Sequence, residues 1–524
     1  MRYVPQALYD AQLNSGCMEG TRVEILRDII DWIQNTEAQR IFWLTGWAGT
    51  GKSAIAWTIC RCANDNGNFV LGGSFFCSRT ASSMAQRDVR CVIPTLALIL
   101  ARQSNTFSLA LASELTRDPD ILHKQVSVQI ETLLSRPLLA LASSPVPILF
   151  VIDALDECGG LSADDGALDD GGTHRIVSEL IDAIVGFSSA DVKLPVKFLV
   201  TSRPETHIRE TPVSDIEVSK VLRLQTVDKE QVAADIHRYI TAELLRTHRL
   251  RERFTELDVD SLVKHCDGLF IVATTALQYA LRAGIDIAVL RFRKLLGTSK
   301  SGLNTTLLTP LDRMYDLILE DAATMDETAS DGMAMTLQLL AALLSARMTL
   351  SVAALADLLD LPTDNVRAVL SCLHAVVHVP DDELEPDLRT LHASFGDYVF
   401  RRAPVHIRIS SLNSHDGPAR ASLRIMAERL HFNVSQSRSS YERNQSERPD
   451  GITLSLEYAC TQWIYHIASL SEPSVLDKLV GEIFCRQFMF WLEVMSMLGQ
   501  VQRAAAMLYL AAVTVCQRFP LLPS

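Results

Sequence analysis

The chain has 524 residues, 48% hydrophobic and 21% charged, a globular composition with room for roughly three or four domains. A formal net charge of −13 excludes the broad basic face that nonspecific binding to nucleic acid or anionic membranes needs. Eleven cysteines lie without metal or disulfide spacing and no secretory leader precedes them, so a reducing, cytoplasmic setting is expected.

Residues 1–20 read as a leader. From there to residue 220, short apolar runs alternate with helical patterns, which predicts a parallel sheet wrapped by helices. The runs Ile41–Leu44, Val70–Phe76, Val146–Ile152 and Val196–Val200 are the expected strands. The first leads into Gly46-Trp47-Ala48-Gly49-Thr50-Gly51-Lys52-Ser53, a full match to G-x-x-x-x-G-K-[ST]. Ala54 to Ile59 then reads as a helix start. Strand, Gly-rich turn and helix N-terminus together make an anion site, because backbone N–H groups and the helix dipole point at the same place. In that role Lys52 reaches the terminal phosphates of a nucleotide, and the Ser53 hydroxyl joins a Mg²⁺ shell.

The third run delivers Asp153 to the sheet edge, where a carboxylate can hold Mg²⁺ beside Ser53. Asp156 or Glu157 can then orient an attacking water. The fourth run ends in Thr201-Ser202-Arg203, and the planar donor fork of Arg203 suits a γ-phosphate; Arg79, after the second run, is a weaker candidate for the same task. Ligands of open α/β sheets bind off the carboxyl ends of strands, so these endings should converge. Ser162 to Thr173 resembles a calcium loop at first sight. Its acids do not alternate and no Glu closes it, so a solvated acidic loop is predicted.

Residues 221–330 read as helical, with patterns over Asp235–Leu245 and Asp260–Arg282. Residues 331–410 read as helices followed by a hairpin, a winged-helix unit, with Thr349-Leu350-Ser351 as a helix start and an acidic turn within His378–Leu391. Residues 411–524 read as helical again, broken by a polar loop over Ser435–Arg448. The apolar run Ala504–Cys516 is too short to cross a bilayer and predicts a buried helix.

Together, the phosphate loop, Asp153-Ala154-Leu155-Asp156-Glu157 and Thr201-Ser202-Arg203-Pro204 resemble a NACHT domain of the STAND class of P-loop NTPases. Cys17 to Arg22 with Ile25–Trp32, Gly268-Leu269-Phe270-Ile271, and Leu391-His392-Ala393-Ser394-Phe395 are similar to segments of fungal NLR-like members. Tyr458–Trp463 and Phe490–Glu493 are similar to the helical region of basidiomycete ones. The resemblance implies a signalling switch held closed by a nucleoside diphosphate, which exchanges it for triphosphate and self-associates through the NACHT domain. It also implies that His392 touches the terminal phosphate of the diphosphate in the closed state; the other reading of His392 is a helix cap or core residue. Phe270 stands where other relatives carry an adenine-packing proline, which leaves ATP/ADP and GTP/GDP both open. With no effector domain or repeat sensor in the sequence, protein partners supplying those parts, or a shortened paralogue, are expected. A slow nucleoside-triphosphatase is the expected activity, and the alternative is a scaffold that binds nucleotide without hydrolysing it.

Overall fold

The computed structural model describes residues 3–12, 16–66, 68–79, 84–141, 146–158, 170–189, 195–204, 219–246, 253–281, 285–297, 309–324, 332–410, 413–437, 449, 451–470 and 474–518. They divide into two compact units, one up to Leu311 and one from Asp312.

The first unit is built on a five-stranded parallel sheet of β1 (Ile41–Thr45), β2 (Val70–Phe76), β3 (Ile148–Asp153), β4 (Val196–Ser202) and β5 (Ser219–Arg223). Its spatial order is β2-β3-β4-β1-β5. Every residue of β1, β3 and β4 is buried, as expected of parallel strands covered on both faces. Alternation along β1 sends Trp43 into one core with Phe150, Phe198 and Leu96. Phe42 and Leu44 enter the other, with Trp32, Ile55 and Leu199. Helices α1 (Val23–Gln34) and α2 (Lys52–Asn66) belong to the second core, while α3 (Val92–Gln103) and α5 (Asp170–Ser189) supply the first; α4 (Asn105–Arg117) packs on α3. Lys197, inside β4, is buried because its ammonium donates to the Asn35, Ala38 and Gln39 carbonyls just past α1, at 2.8, 2.7 and 3.2 Å. A cation at a helix C-terminus is the favourable sign, and burial still pulls this amine down to about 8.

Four strands lie where the apolar runs placed them. The fifth, β5, escapes a hydropathy reading because Lys220 and Arg223 interrupt it; among the described residues it pairs with β1 at the sheet edge and keeps a half-exposed face. Beyond it come α6 (Lys229–Arg246), α7 (Glu256–Cys266), α8 (Phe270–Leu281) and α9 (Ile285–Gly297). The single helix expected over Asp260–Arg282 is two: Asp267 and Gly268 both take positive φ, 45° and 79°, which ends α7 in a left-handed cap. Of the acidic loop, 162–169 lie outside the described residues and the rest opens α5.

The second unit contains α10 (Pro310–Thr324) from Asp312 onward, α11 (Gly332–Ser345), α12 (Val352–Leu359) and α13 (Thr363–Cys372), then a two-stranded antiparallel hairpin of β6 (Val377–His378) and β7 (Arg389–Thr390). Ser351 caps α12, its hydroxyl accepting from the Ala354 N–H at 3.1 Å, as the start signal anticipates. Helices α14 (Asp416–Arg429), α15 (Leu454–Ala468), α16 (Ser474–Met497) and α17 (Val501–Arg518) complete it. The polar loop expected after Ser435 falls mostly outside the described residues. The helix expected over Ala504–Cys516 forms and packs on α15 and α16, but it is not buried throughout: Ala504 and Met507 are buried, whereas Tyr509 is 68% exposed. A run of Ala and Val reads as core in sequence even when only one stripe of the helix has a partner.

Candidate functional site

The loop between β1 and α2 is shaped from both sides. Gly49 and Gly51 hold φ of 78° and 93°, the left-handed region that glycine enters without cost. At Gly49 a Cβ would also collide with the Ile271 side chain. The Ile271 N–H, at the head of α8, donates to the Gly49 carbonyl at 3.2 Å. Arg22, buried and itself left-handed at φ 54°, donates from Nη2 to the Thr50 carbonyl at 2.9 Å. Its backbone N–H donates to Asp235 on α6 at 3.0 Å, and its guanidinium lies 4.9 Å from the centre of the Phe270 ring. Within the loop, the Lys52 ammonium donates to the carbonyls of Gly46 (2.8 Å) and Trp47 (3.0 Å). These two bonds leave a third N–H on a buried amine whose affinity for protons burial lowers, against the pull of Asp156 and Asp153. The Trp47 side chain is 60% exposed.

The acidic half stands at the ends of β3 and β4. Asp153 is buried at the last position of β3. It accepts from the Thr201 hydroxyl at 2.6 Å and is hydrogen-bonded by the Ser53 hydroxyl. Thr201 in turn accepts from the Ala154 N–H at 2.9 Å, where the chain kinks through a left-handed alanine, φ 53°. Burial pushes the Asp153 carboxyl up, and the Thr201 and Ser53 hydroxyls and Lys52 pull it back.

That kink turns Asp156 and Glu157 toward Arg203. Asp156 accepts from the Arg203 N–H at 2.9 Å and pairs with its Nε at 3.1 Å. Glu157 lies 3.7 Å from Arg203 Nη2 and accepts from the Arg79 N–H at 3.1 Å. Arg79 also donates from its guanidinium to the Asp156 carbonyl at 2.6 Å. Burial first, and then the Asp156 charge, push Glu157 up to about 7, against the pull of the two arginines.

Lys52, Ser53, Asp153, Asp156, Glu157 and Arg203 are thus one cluster, because β4 lies between β1 and β3 and carries Thr201 and Arg203 to the gap. His392 belongs to the second unit, where it caps the short helix Ala393–Asp397. Its Nδ1 accepts from the Ser394 N–H at 3.1 Å, so the neutral ring carries its proton on Nε2. The Ser394 hydroxyl, 2.6 Å from Nδ1, must then donate to it and is free to accept from Tyr315 at 2.9 Å.

Sequence reasoning misses four residues here. Thr201 has no assigned task there, Arg22 enters only through a resemblance, and Cys77 and Cys158 carry no pairing signal. The last two are in fact joined as a disulfide. One residue past β2 and a few past β3, they meet only because those strands are neighbours in parallel register, Phe76 opposite Asp153. Spacing along the chain, 81 residues, carries no trace of that adjacency.

The residues present fit a magnesium nucleotide. Asp153 is a buried carboxylate that retains a raised proton affinity despite two hydroxyls and a lysine, which is the situation a divalent cation relieves. One carboxylate and one hydroxyl suffice, since Mg²⁺ keeps much of its water.

Residues 20–203 match the protein family described as Nephrocystin 3, N-terminal. No curated protein matches the chain. Among solved structures it is similar to a Signal Transduction ATPase with Numerous Domains (STAND) protein with a tetratricopeptide repeat sensor from Pyrococcus horikoshii, at 11% identity and a TM-score of 0.44. That match covers 98% of this chain and 58% of the archaeal one, so this chain spans under two thirds of that protein's length. It is also similar to the Aeropyrum pernix ORC1 protein in complex with DNA (13% identity, TM-score 0.29, covering 72% and 91% of the two chains). AMPPCP-bound DnaA from Aquifex aeolicus is a third (13%, 0.24, covering 71% and 90%).

Proposed function

We propose that the chain is a nucleotide-controlled switch of the NACHT type within the STAND class. It binds a nucleoside triphosphate with Mg²⁺ on residues 46–53, hydrolyses it slowly and self-associates when activated. The observation that carries this reading is the convergence of Lys52, Ser53, Asp153, Glu157 and Arg203 at the carboxyl ends of three parallel strands.

In this reading the loop N–H groups and Lys52 bind the β- and γ-phosphates, while Ser53 and Asp153 hold the metal. Bound Mg²⁺ would supply charge neutralisation to the phosphate oxygens. Thr201 fixes the Asp153 carboxylate by donating to one of its oxygens. Glu157, poised near neutrality, takes the proton of the attacking water. In this reading Arg203, which pairs with Asp156 and Glu157, exchanges those carboxylates for the γ-phosphate. His392, with its proton on Nε2, is the closed-state donor to a diphosphate in the winged-helix reading of residues 331–410. The raised Glu157 favours turnover over the scaffold reading, since a carboxylate near 7 is matched to proton transfer.

The deciding experiment denatures the purified chain and identifies any released nucleotide by chromatography. Stoichiometric ADP or GDP supports the closed switch and fixes the base. An empty protein that also fails to take up added Mg²⁺ nucleotide overturns the proposal. Detectable turnover lost in Glu157→Gln excludes the non-hydrolysing scaffold.

A further inference from the structure

The disulfide lies inside the machinery just described. Cys77 follows β2, and its N–H donates to the Asp153 carbonyl at 3.0 Å. Cys158 follows Glu157, and its N–H closes the turn on Leu155 at 3.1 Å. Their Cα atoms are 5.6 Å apart, within the range a disulfide spans, and both side chains are buried. Two residues beyond Cys77 stands Arg79, whose N–H holds Glu157 and whose guanidinium holds the Asp156 carbonyl. The bond therefore closes a small ring: sulfur to sulfur at one end, Arg79 to Glu157 at the other. It joins the two segments whose mutual hydrogen bonds decide where the Glu157 carboxylate stands.

We propose that Cys77 and Cys158 are positioning residues for Glu157, and that thiol–disulfide exchange between them sets how well the site activates water. Starting from the dithiol, the Cys77 thiolate attacks one sulfur of a low-molecular-weight disulfide and expels a thiolate. The Cys158 thiolate then attacks the Cys77 sulfur of the mixed disulfide and expels a second. Two protein thiols are oxidised, one external disulfide is reduced to two thiols, and the two protons given up by the cysteines pass to them. Because both sulfurs are buried, exchange waits on local opening of the strand ends and is slow. The hydrolytic part of this inference rests on the nucleotide reading above; the structural part does not.

The test uses the full chain equilibrated with glutathione disulfide or with dithiothreitol. Peptide mapping under non-reducing conditions should find residues 77 and 158 joined in the first sample; failure to find the bond overturns the proposal. Hydrogen exchange at the Arg79 amide should be slower in the oxidised protein, a readout that needs no nucleotide; equal rates overturn the positioning role whatever becomes of the nucleotide reading. Where the chain turns over nucleotide, reduction should lower the rate roughly tenfold with little change in nucleotide affinity, the mark of a misplaced base and not of a damaged binding loop. Turnover in Cys77→Ser/Cys158→Ser should ignore the redox setting. If that variant does not fold, the wild-type protein under the two conditions still decides, and equal turnover in both overturns the hydrolytic claim.

Discussion

The two units each bury a polar cluster, and they solve the problem in opposite ways. In the first unit the groups are ionic and incompletely neutralised. Lys52 has an N–H left over, Asp153 is pushed up, and Glu157 sits near 7 between a carboxylate and two arginines. In the second unit His415 Nδ1 lies 2.8 Å from His466 Nδ1, and His466 Nε2 lies 2.7 Å from the Tyr458 hydroxyl. Two protons suffice to bond these three neutral groups in line. Burial and the nearby Arg347 hold both imidazoles uncharged, His415 at about 4. A cluster satisfied by its own members specifies packing, while one left short of partners is built for something that arrives.

That contrast can be broken by experiment. The largest effect is expected from Glu157→Gln, which should cut turnover by about 10²- to 10⁴-fold while nucleotide still binds. In the wild type the rate should rise through pH 7 as Glu157 loses its proton, a dependence the variant should lack. Acid should act on the second unit by a different route. The folded His415 value lies below the ordinary 6.5, so its contribution to stability is complete above pH 6.5 and is lost as pH falls toward 4. The loss is up to about 3 kcal/mol, read as a falling unfolding midpoint that His415→Gln should flatten. Lys52→Ala should weaken triphosphate binding by about 10- to 100-fold, the worth of one charged hydrogen bond or more. A fluorescent-nucleotide titration showing unchanged affinity would sink that assignment. The smallest effect belongs to Ser351→Ala, about 1 kcal/mol from a lost helix cap, with nucleotide affinity unmoved.

Four of the five strands, and the residues gathered in the candidate site, were legible because their signals are local. A buried strand is an apolar run, and Gly46–Ser53 carries its geometry in consecutive residues. What escaped depends on neighbours distant in sequence. The edge strand β5 is recognisable only from its pairing with β1, and the Cys77–Cys158 bond only from the adjacency of β2 and β3. The place of Arg203 at the end of β4 was legible, but not its engagement with Asp156 and Glu157, which follow the left-handed turn at Ala154.

The pressing of Ile271 against Gly49 bears on where this chain can be cut. A fragment ending after β5 would keep every residue of the phosphate pattern and lose the wall that shapes it. The Gly49 carbonyl would lose its donor, and Arg22 would lose both Asp235 and the Phe270 ring. A piece that keeps the loop in this form therefore reaches at least into α8, past the boundary of the sheet.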